Sequence, residues 1–229
     1  MVVLAYRSGE GLGSLVEGVL RECEGLARPF EVVLVANYDD GSDDPTPAAA
    51  RRLAEADPRL AVVADAKRGG MGRDLRAGLR AATGRALVVM DGDGQNPPED
   101  AVRAYRALVE GGADLVKGRR VTRRDGLHRR LLSTAYNVVF ALLFGTWGLW
   151  DINGKPKGVT RAAYERLSLT SDDWFVDAEL VLAARQQRLR IVEIPVEFRA
   201  STTRPSFVRP GAVLEFARHM LRYRISGRP

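Results

Sequence analysis

Met90-Asp91-Gly92-Asp93-Gly94-Gln95 places two carboxylates two positions apart, directly after the apolar run Ala86-Leu87-Val88-Val89-Met90. In extended backbone that spacing turns Asp91 and Asp93 to the same side. Gly92 and Gly94 remove side-chain bulk and let the chain bend around a ligand. Carboxylate oxygens are hard ligands suited to Mg²⁺ or Mn²⁺, ions that keep coordination positions open for phosphate oxygens. A plain Asp-Gly turn between two elements is the competing reading.

A second acidic segment, Asp39-Asp40-Gly41-Ser42-Asp43-Asp44, also follows a β-branched run. Its carboxylates can accept hydrogen bonds from ribose hydroxyls or base N–H groups. They can equally form a solvated loop with a helix cap before Pro45 and Pro47, Asp44 capping while Asp39 faces a ligand. Lys67-Arg68-Gly69-Gly70-Met71-Gly72 is a basic, glycine-rich stretch leading into a helical pattern, suited to cradling phosphates or to joining a loop to a helix. It matches neither of the two common glycine-rich nucleotide fingerprints. Asp177 and Glu179 open another helical stretch; either carboxylate could serve as a base for a hydroxyl acceptor, orient a donor sugar, or face solvent.

The elements that must position these residues alternate. Apolar runs at Val2–Tyr6, Glu31–Ala36, Leu60–Ala64, Ala86–Met90 and Ala113–Lys117 read as strands; 12–26, 47–56, 72–83 and 98–110 read as helices. Pro98 followed by Glu99 and Asp100 marks a helix start. This order predicts a doubly wound, mostly parallel α/β sheet with flanking helices. Ligands in such sheets bind beyond the carboxyl ends of the strands, which directs attention to the loops after Ala36, Ala64, Met90 and Val116. Beyond residue 120 the pattern loosens: a basic loop, a long uncharged helix, a helix over 176–187, a strand over 190–198 and a helix over about 210–223. No repeat or low-complexity linker interrupts the chain, so 1–229 reads as one domain, with a nucleotide-binding half (1–120) and an acceptor-binding half (121–229).

Composition narrows the classes. The 229 residues include 35 basic and 29 acidic side chains, for a net charge of +6, and 45% are apolar, enough for a substantial core. One cysteine, Cys23, excludes a disulfide framework and fits a reducing compartment. The start shows no basic leader or signal cleavage site. Positive charge concentrates in Lys117–Arg130 and Arg199–Pro229, seven basic residues and one acid in each. Aromatic residues are not interleaved with these clusters as a base-stacking surface requires, so nucleic acid is not the expected partner. Leu131–Trp150 carries no formal charge. Glycines and polar residues within it favour a helix over about 129–145 lying on a bilayer surface, ending in Trp147 and Trp150, with core packing as the alternative and a membrane span the least favoured.

The acidic, glycine-rich and second acidic motifs, in this order, resemble the family-2 glycosyltransferases of the GT-A nucleotide-sugar-binding fold, particularly the polyprenyl-phosphate sugar transferases of the dolichyl-phosphate mannose synthase type. The likeness runs over nearly the whole chain: Ala5-Tyr6; Asp39, Asp40, Gly41, Ser42 and Asp44; Gly69 to Gly78; Asp91, Asp93, Gln95, Pro97, Pro98 and Glu99; Gly118 with Arg120; His128, Arg129 and Ser133; Asp151 with Gly154; Asp177 to Leu180; and Ser206. It departs at Arg7 and Ser8, at Gly92 where an alanine is usual, and at Phe207 where a lysine is usual.

The resemblance implies inverting transfer of a hexose from a GDP-mannose or UDP-glucose type donor to a polyprenyl phosphate. Ala5, Tyr6, Asp39, Asp40, Gly69 and Asp91 would bind the nucleotide. Asp91, Asp93 and Gln95 would hold Mg²⁺ or Mn²⁺; Asp91, Asp93, Asp177 and Glu179 are the catalytic candidates. Arg120, Arg129 and Ser133 would hold the acceptor phosphate, and Arg204 and Ser206 would lie on the donor side. The same resemblance places the protein in the cytoplasm, peripheral on the inner membrane face, with a membrane-anchoring partner protein as a further expectation. Transfer to a sugar or other hydroxyl, and a non-enzymatic basic module, are the alternatives.

Overall fold

The computed structural model describes residues 1–123, 127–199 and 218–225, with backbone alone at 122, 123, 127–130 and 132. Its centre is a seven-stranded sheet in the order β3-β2-β1-β4-β6-β5-β7. The strands are β1 (Val2–Leu4), β2 (Val32–Val35), β3 (Leu60–Val63), β4 (Ala86–Asp91), β5 (Leu115–Arg123), β6 (Lys157–Thr160) and β7 (Ile191–Phe198). All neighbouring pairs are parallel except the two that β6 makes with β4 and β5.

The apolar runs of β1, β2 and β4 are buried on both faces, as central parallel strands must be, while the edge strand β3 is only partly covered. Period-two alternation sends Val2, Leu4, Val33, Val35 and Val89 into one core layer. The intervening Val3, Ala5, Val32, Leu34, Val88 and Met90 enter the other. Helix α1 (Leu12–Glu24) covers the second layer with Leu12, Leu15, Val16, Val19 and Cys23, a stripe at helical spacing. Helices α2 (Thr46–Ala56) and α4 (Pro98–Val109) pack on the same side, with Pro98, Glu99 and Asp100 in the first turn of α4 as expected. Helix α3 (Met71–Ala81) and helix α7 (Val176–Gln186) close the other side.

Two features of the second half escape the sequence pattern. Lys157–Thr160 is too short and too polar to signal a strand, yet it forms β6 between β4 and β5, followed by the short helix α6 (Arg161–Arg166). Val116 does not end a strand: β5 continues to Arg123, pairing with β7 alone after Lys117, with a register shift between Arg120 and Thr122. The loop expected after Val116 is therefore strand, and Arg119 and Arg120 are held on it.

The uncharged segment forms α5 (Leu127–Phe144). Core packing accounts for one face of it. Asn137, Phe140 and Ala141 are buried, with Tyr136 and Phe144 packed on the core, while Leu131, Val138, Val139, Leu142 and Leu143 on the remaining faces are exposed. A last helix, α8 (218–225), docks through Met220 and Tyr223; Tyr223 meets Phe144 edge-on and lies near Phe175. Residues 210–217 of the expected C-terminal helix lie outside the described residues.

Candidate active site

The strand order reverses between β1 and β4, since the chain builds outward from β1 to β3 and then returns to add β4 on the other side. In doubly wound sheets the ligand crevice lies beyond the carboxyl ends of two such strands. Leu4 and Asp91 are paired residues of these adjacent strands, so Ala5 and Tyr6 emerge beside the Asp91–Gln95 loop.

On the β1–β2 side, Tyr6 and Arg7 both donate to Asp39 Oδ2, each at 2.6 Å. These bonds, Tyr6 first, hold the Asp39 carboxyl below its usual pKa; burial and the Asp39 contact push the Tyr6 phenol up to about 12. Lys67 Nζ lies 3.7 Å from the centre of the Tyr6 ring and 2.6 Å from Asp74 Oδ2. Asp74 also accepts from the buried Asn37 amide at 2.8 Å, and Asn37 Oδ1 accepts from the Asp65 N–H. A charged and aromatic wall thus lines the end of β2. Asp40 is exposed beside it. Asp44 stands one residue before the cap position of α2, which is Pro45, and accepts from the Thr46 N–H at 3.0 Å and its hydroxyl at 2.6 Å.

The glycine-rich stretch performs a packing task. A Cβ on Gly70 would come within 2.9 Å of Asp173 Cα, and one on Gly72 within 2.7 Å of the Asp173 carbonyl oxygen. The glycines let the start of α3 lie against the backbone of 171–173, with Gly69 beside Arg73 and Asp172.

The loop after β4 is pinned on both sides. Gly92 N–H donates to the Leu4 carbonyl at 2.9 Å and its own carbonyl accepts from Ser8 Oγ at 2.7 Å. A Cβ at Gly92 would lie 2.8 Å from Ala5 Cα, which explains glycine where the resemblance leads one to expect alanine. Asp93 Oδ1 accepts from the Gln95 N–H at 3.0 Å. Gln95 exchanges bonds with Arg199, and the buried Asn96 amide donates to the Lys155 carbonyl at 3.0 Å, tying the loop to the second half.

Beneath this loop lies a cluster that motif reading missed. Lys155 and Lys157 are both buried, and Asp177 sits between them: Lys155 Nζ is 3.2 Å from Asp177 Oδ2 and Lys157 Nζ 3.0 Å from Asp177 Oδ1. Lys155 is also 3.2 Å from Asp91 Oδ1. Burial works against the Lys155 ammonium, but Asp177 and Asp91 outweigh it and raise its pKa. For Lys157 burial prevails over Asp177, with Lys155 and Lys117 adding repulsion, and brings it to about 8. Asp177 is lowered: the two lysines overcome its own burial. Glu179 is equally buried but accepts from Thr170 N–H, Thr170 Oγ1 and Ser171 N–H at 2.8, 3.0 and 2.9 Å. Its carboxylate anchors the loop that the glycines pack against.

A third region lies at the β5–α5 junction. Arg119, Arg120, Val121, Ser133, Thr134, Asn137, Trp150 and Asp151 line an open pocket of about 270 Å³. Arg120 is committed to Asp151, donating through its backbone N–H at 2.9 Å, Nε at 2.7 Å and a terminal nitrogen, and lies over the Phe198 ring. Asp151 is buried and lowered, Arg120 outweighing burial. Arg119, by contrast, is exposed and makes no ion pair among the described residues. Nearby, the fully buried Lys117 bonds to Glu193 and to the Trp150 and Asp151 carbonyls. Ser133 is half-buried and lines the pocket. The Arg129 backbone belongs to α5, its side chain lying outside the described residues, as do Arg204 and Ser206.

Four tasks therefore meet along one sheet: an acidic wall, a carboxylate loop, a buried ammonium beneath it, and a cationic pocket beside an apolar helix. Residues 1–168 match the glycosyl transferase family 2 model, and the chain belongs to that family. It is 33% identical over 210 residues to the polyprenol monophosphomannose synthase of Mycolicibacterium smegmatis, covering 86% of this chain and 76% of that one. It is 34% identical over 143 residues to the undecaprenyl-phosphate 4-deoxy-4-formamido-L-arabinose transferase of Pectobacterium carotovorum, 61% of this chain but 42% of the relative's length. By structure it resembles glucosyl-3-phosphoglycerate synthase from Mycobacterium tuberculosis in complex with Mn²⁺, UDP and phosphoglyceric acid, with a TM-score of 0.73 and 20% identity, covering 100% of this chain and 78% of that one. A mannosyltransferase from Pyrobaculum calidifontis in complex with GDP-mannose and Mn²⁺ gives a TM-score of 0.57 at 22% identity, covering 99% and 62%. The fold expectation and the family expectation are both borne out.

Proposed function

We propose that this glycosyltransferase moves a hexose, with inversion, from a nucleotide diphosphate donor to a polyprenyl phosphate presented at a bilayer surface. The observation that carries this is the pocket at Arg119, Arg120 and Ser133, placed beside a helix whose outward residues are apolar. A phosphate headgroup in that pocket keeps its hydrocarbon tail next to apolar side chains. The relatives named for undecaprenyl phosphate and polyprenol substrates support the same acceptor class.

Tyr6 and Asp39 would bind the nucleoside, since the Asp39 carboxylate stays ionised and can accept from base or ribose donors. Asp40 follows Asp39 in the chain and extends the same assignment, and Gly69 is assigned to the nucleotide by the resemblance. Asp91 and Asp93, with Gln95 next to them, suit Mg²⁺ or Mn²⁺. Among the described residues no three acidic, His or Cys side chains form a closed cage, and these ions are typically held by one or two carboxylates plus substrate phosphates. When bound, the ion stabilises the charge that develops on the leaving diphosphate.

A phosphate monoester has a second pKa near 6, so it is largely dianionic at pH 7 and can attack without a base. That fits the position of Asp177, whose carboxylate is enclosed by two lysines. Arg119 holds the acceptor in place and Arg120 keeps the pocket wall rigid through Asp151, while Arg129 is assigned to the acceptor phosphate by the resemblance alone. On the donor side, Arg204 and Ser206 remain assignments carried by the resemblance.

Among the described residues no helix is long and apolar enough to cross a membrane, so contact would be peripheral, with Leu131, Leu142 and Trp147 entering the interface. A cytoplasmic-face location and a membrane-anchoring partner follow from the same reading.

The test is transfer from UDP-glucose and GDP-mannose to undecaprenyl phosphate in vesicles, beside 3-phosphoglycerate as a hydroxyl acceptor. Product on the lipid, lost in Arg129→Ala with nucleotide binding kept, is expected. Product on glycerate alone overturns the acceptor assignment.

A further inference from the structure

A buried ion cluster that only packs the core has little reason to persist. Desolvating each charge costs several kcal/mol, and well-packed apolar residues of similar volume are often as stable or more so. The Lys155–Asp177–Lys157 cluster is such a case, with side-chain exposures of 4%, 3% and 1%. It has one outlet. Lys155 Nζ reaches Asp91 Oδ1 at 3.2 Å, and the Asp91 side chain is 32% exposed at the crevice. The same ammonium lies 3.1 Å from Met71 Sδ at the start of α3, and the Lys155 carbonyl accepts from Asn96, which follows the carboxylate loop. One residue thus touches β4, its loop, α3 and α7.

We propose that Lys155 is a positioning residue for the donor site: its ammonium, braced by Asp177 and Lys157, fixes Asp91 by one oxygen so that the other is presented to the nucleotide diphosphate and its metal. This deepens the donor-site reading above and rests on it. A carboxylate free to rotate would spend part of its time with neither oxygen aimed, and would pay that entropy on binding. A fixed ammonium also sets the local charge: it cancels part of the repulsion between Asp91 and an incoming anion without occupying the crevice. Lys157 has no contact with Asp91; its place is to keep Asp177, and through it Lys155, in position.

The geometry also makes the test feasible. In Lys155→Met, Asp177 keeps Lys157 at 3.0 Å, and Asp91 keeps its access to water. Titration calorimetry of wild type with UDP and with GDP, each with Mn²⁺, establishes the reference. Lys155→Met is expected to bind the preferred nucleotide at least tenfold more weakly. Asp91→Asn alone is expected to show a comparable loss, and Lys155→Met/Asp91→Asn no further loss, because a positioning residue has nothing left to position. Near-UV circular dichroism confirms that each variant is folded. If Lys155→Met does not fold, Lys155→Arg carries the same cycle: a displaced cation should weaken binding about threefold, and the difference should vanish in the Asp91→Asn background. Equal binding by wild type and Lys155→Met, or a loss that persists undiminished in Asp91→Asn, overturns the positioning role alone. Absence of any binding by wild type overturns the donor reading itself, and the positioning role with it.

Discussion

The rim of the sheet and its interior use carboxylates in opposite ways. At the rim, Asp91 ends β4 and Asp39 and Asp93 stand on the loops after β2 and β4, all three partly open to solvent and steadied by neighbouring groups. In the interior, Asp151, Asp177 and Glu179 are buried and surrounded by cations or backbone N–H groups. On the proposed reading the rim groups meet the donor and its metal, and the interior groups form the frame that aims them. The distinction lies in burial and partners, and it makes the two sets respond differently to the same substitution.

The largest effect is expected from Asp177→Asn. Two buried lysines would lose the carboxylate between them, and breaking a buried pair costs about 3–5 kcal/mol. Chemical denaturation should show a fall of that size. If instead the variant is as stable as wild type but inactive, Asp177 acts in the reaction and the division between rim and interior fails at that residue.

Lys157 sharpens the same division through pH. Its folded pKa is about 8 against an ordinary 10.5, depressed by burial first, with Asp177 on α7 opposing and Lys155 and Lys117 reinforcing. Below pH 8 both folded and unfolded forms carry the proton, and the cost of burying the charge is fully present. Between pH 8 and 10.5 the unfolded chain binds more protons, so this group's contribution to stability rises with pH, by on the order of 3 kcal/mol in total. Comparing wild type with Lys157→Met in urea from pH 7 to 10 isolates the slope; identical profiles would remove Lys157 from the buried cluster's energetics.

The rim should behave in reverse. Asp93→Asn is expected to lower sugar transfer by about 100-fold, the scale of one lost electrostatic contact to the transition state, with unfolding free energy unchanged within about 0.5 kcal/mol. Full activity would take Asp93 out of the metal-binding pair. A thermal shift as large as that of Asp177→Asn would make it a structural residue.

These two sets were not equally legible. Asp91, Asp93 and Asp39 follow buried, β-branched runs, and loop carboxylates after such strands are visible to motif reading because chemistry and sequence are adjacent. The first five strands and helices α1 to α4 were legible for the same reason: period and caps are local signals. β6 was not, because Lys157-Gly-Val-Thr owes its strand conformation to β4 and β5 on either side. The Lys155–Asp177 contact joins residues 22 apart and Lys117–Glu193 residues 76 apart. A lysine near an apolar run reads as a strand end until tertiary pairing reveals a buried ammonium. Arg119 carries no signal of its own for a related reason: nothing local in the sequence says which of two adjacent arginines Asp151 claims, or that both come to line one pocket.

The smallest expected effect concerns α5, where one helix contains both behaviours. Phe140 is fully buried, whereas Leu142, two positions on, is 65% exposed. If the exposed residues meet a bilayer, Leu142→Glu removes apolar area worth about 1.5–3 kcal/mol when fully immersed, and less at an interface. Binding to vesicles of anionic phospholipid should fall about tenfold, and transfer to polyprenyl phosphate should fall with it. Melting temperature should not change, since the side chain packs against nothing that it would expose. Transfer to a short, water-soluble prenyl phosphate should also be preserved, which separates loss of docking from damage to the Arg119 pocket. Vesicle binding unchanged in Leu142→Glu would mean that α5 does not present this face to lipid, and the apolar surface would need a protein partner to cover it.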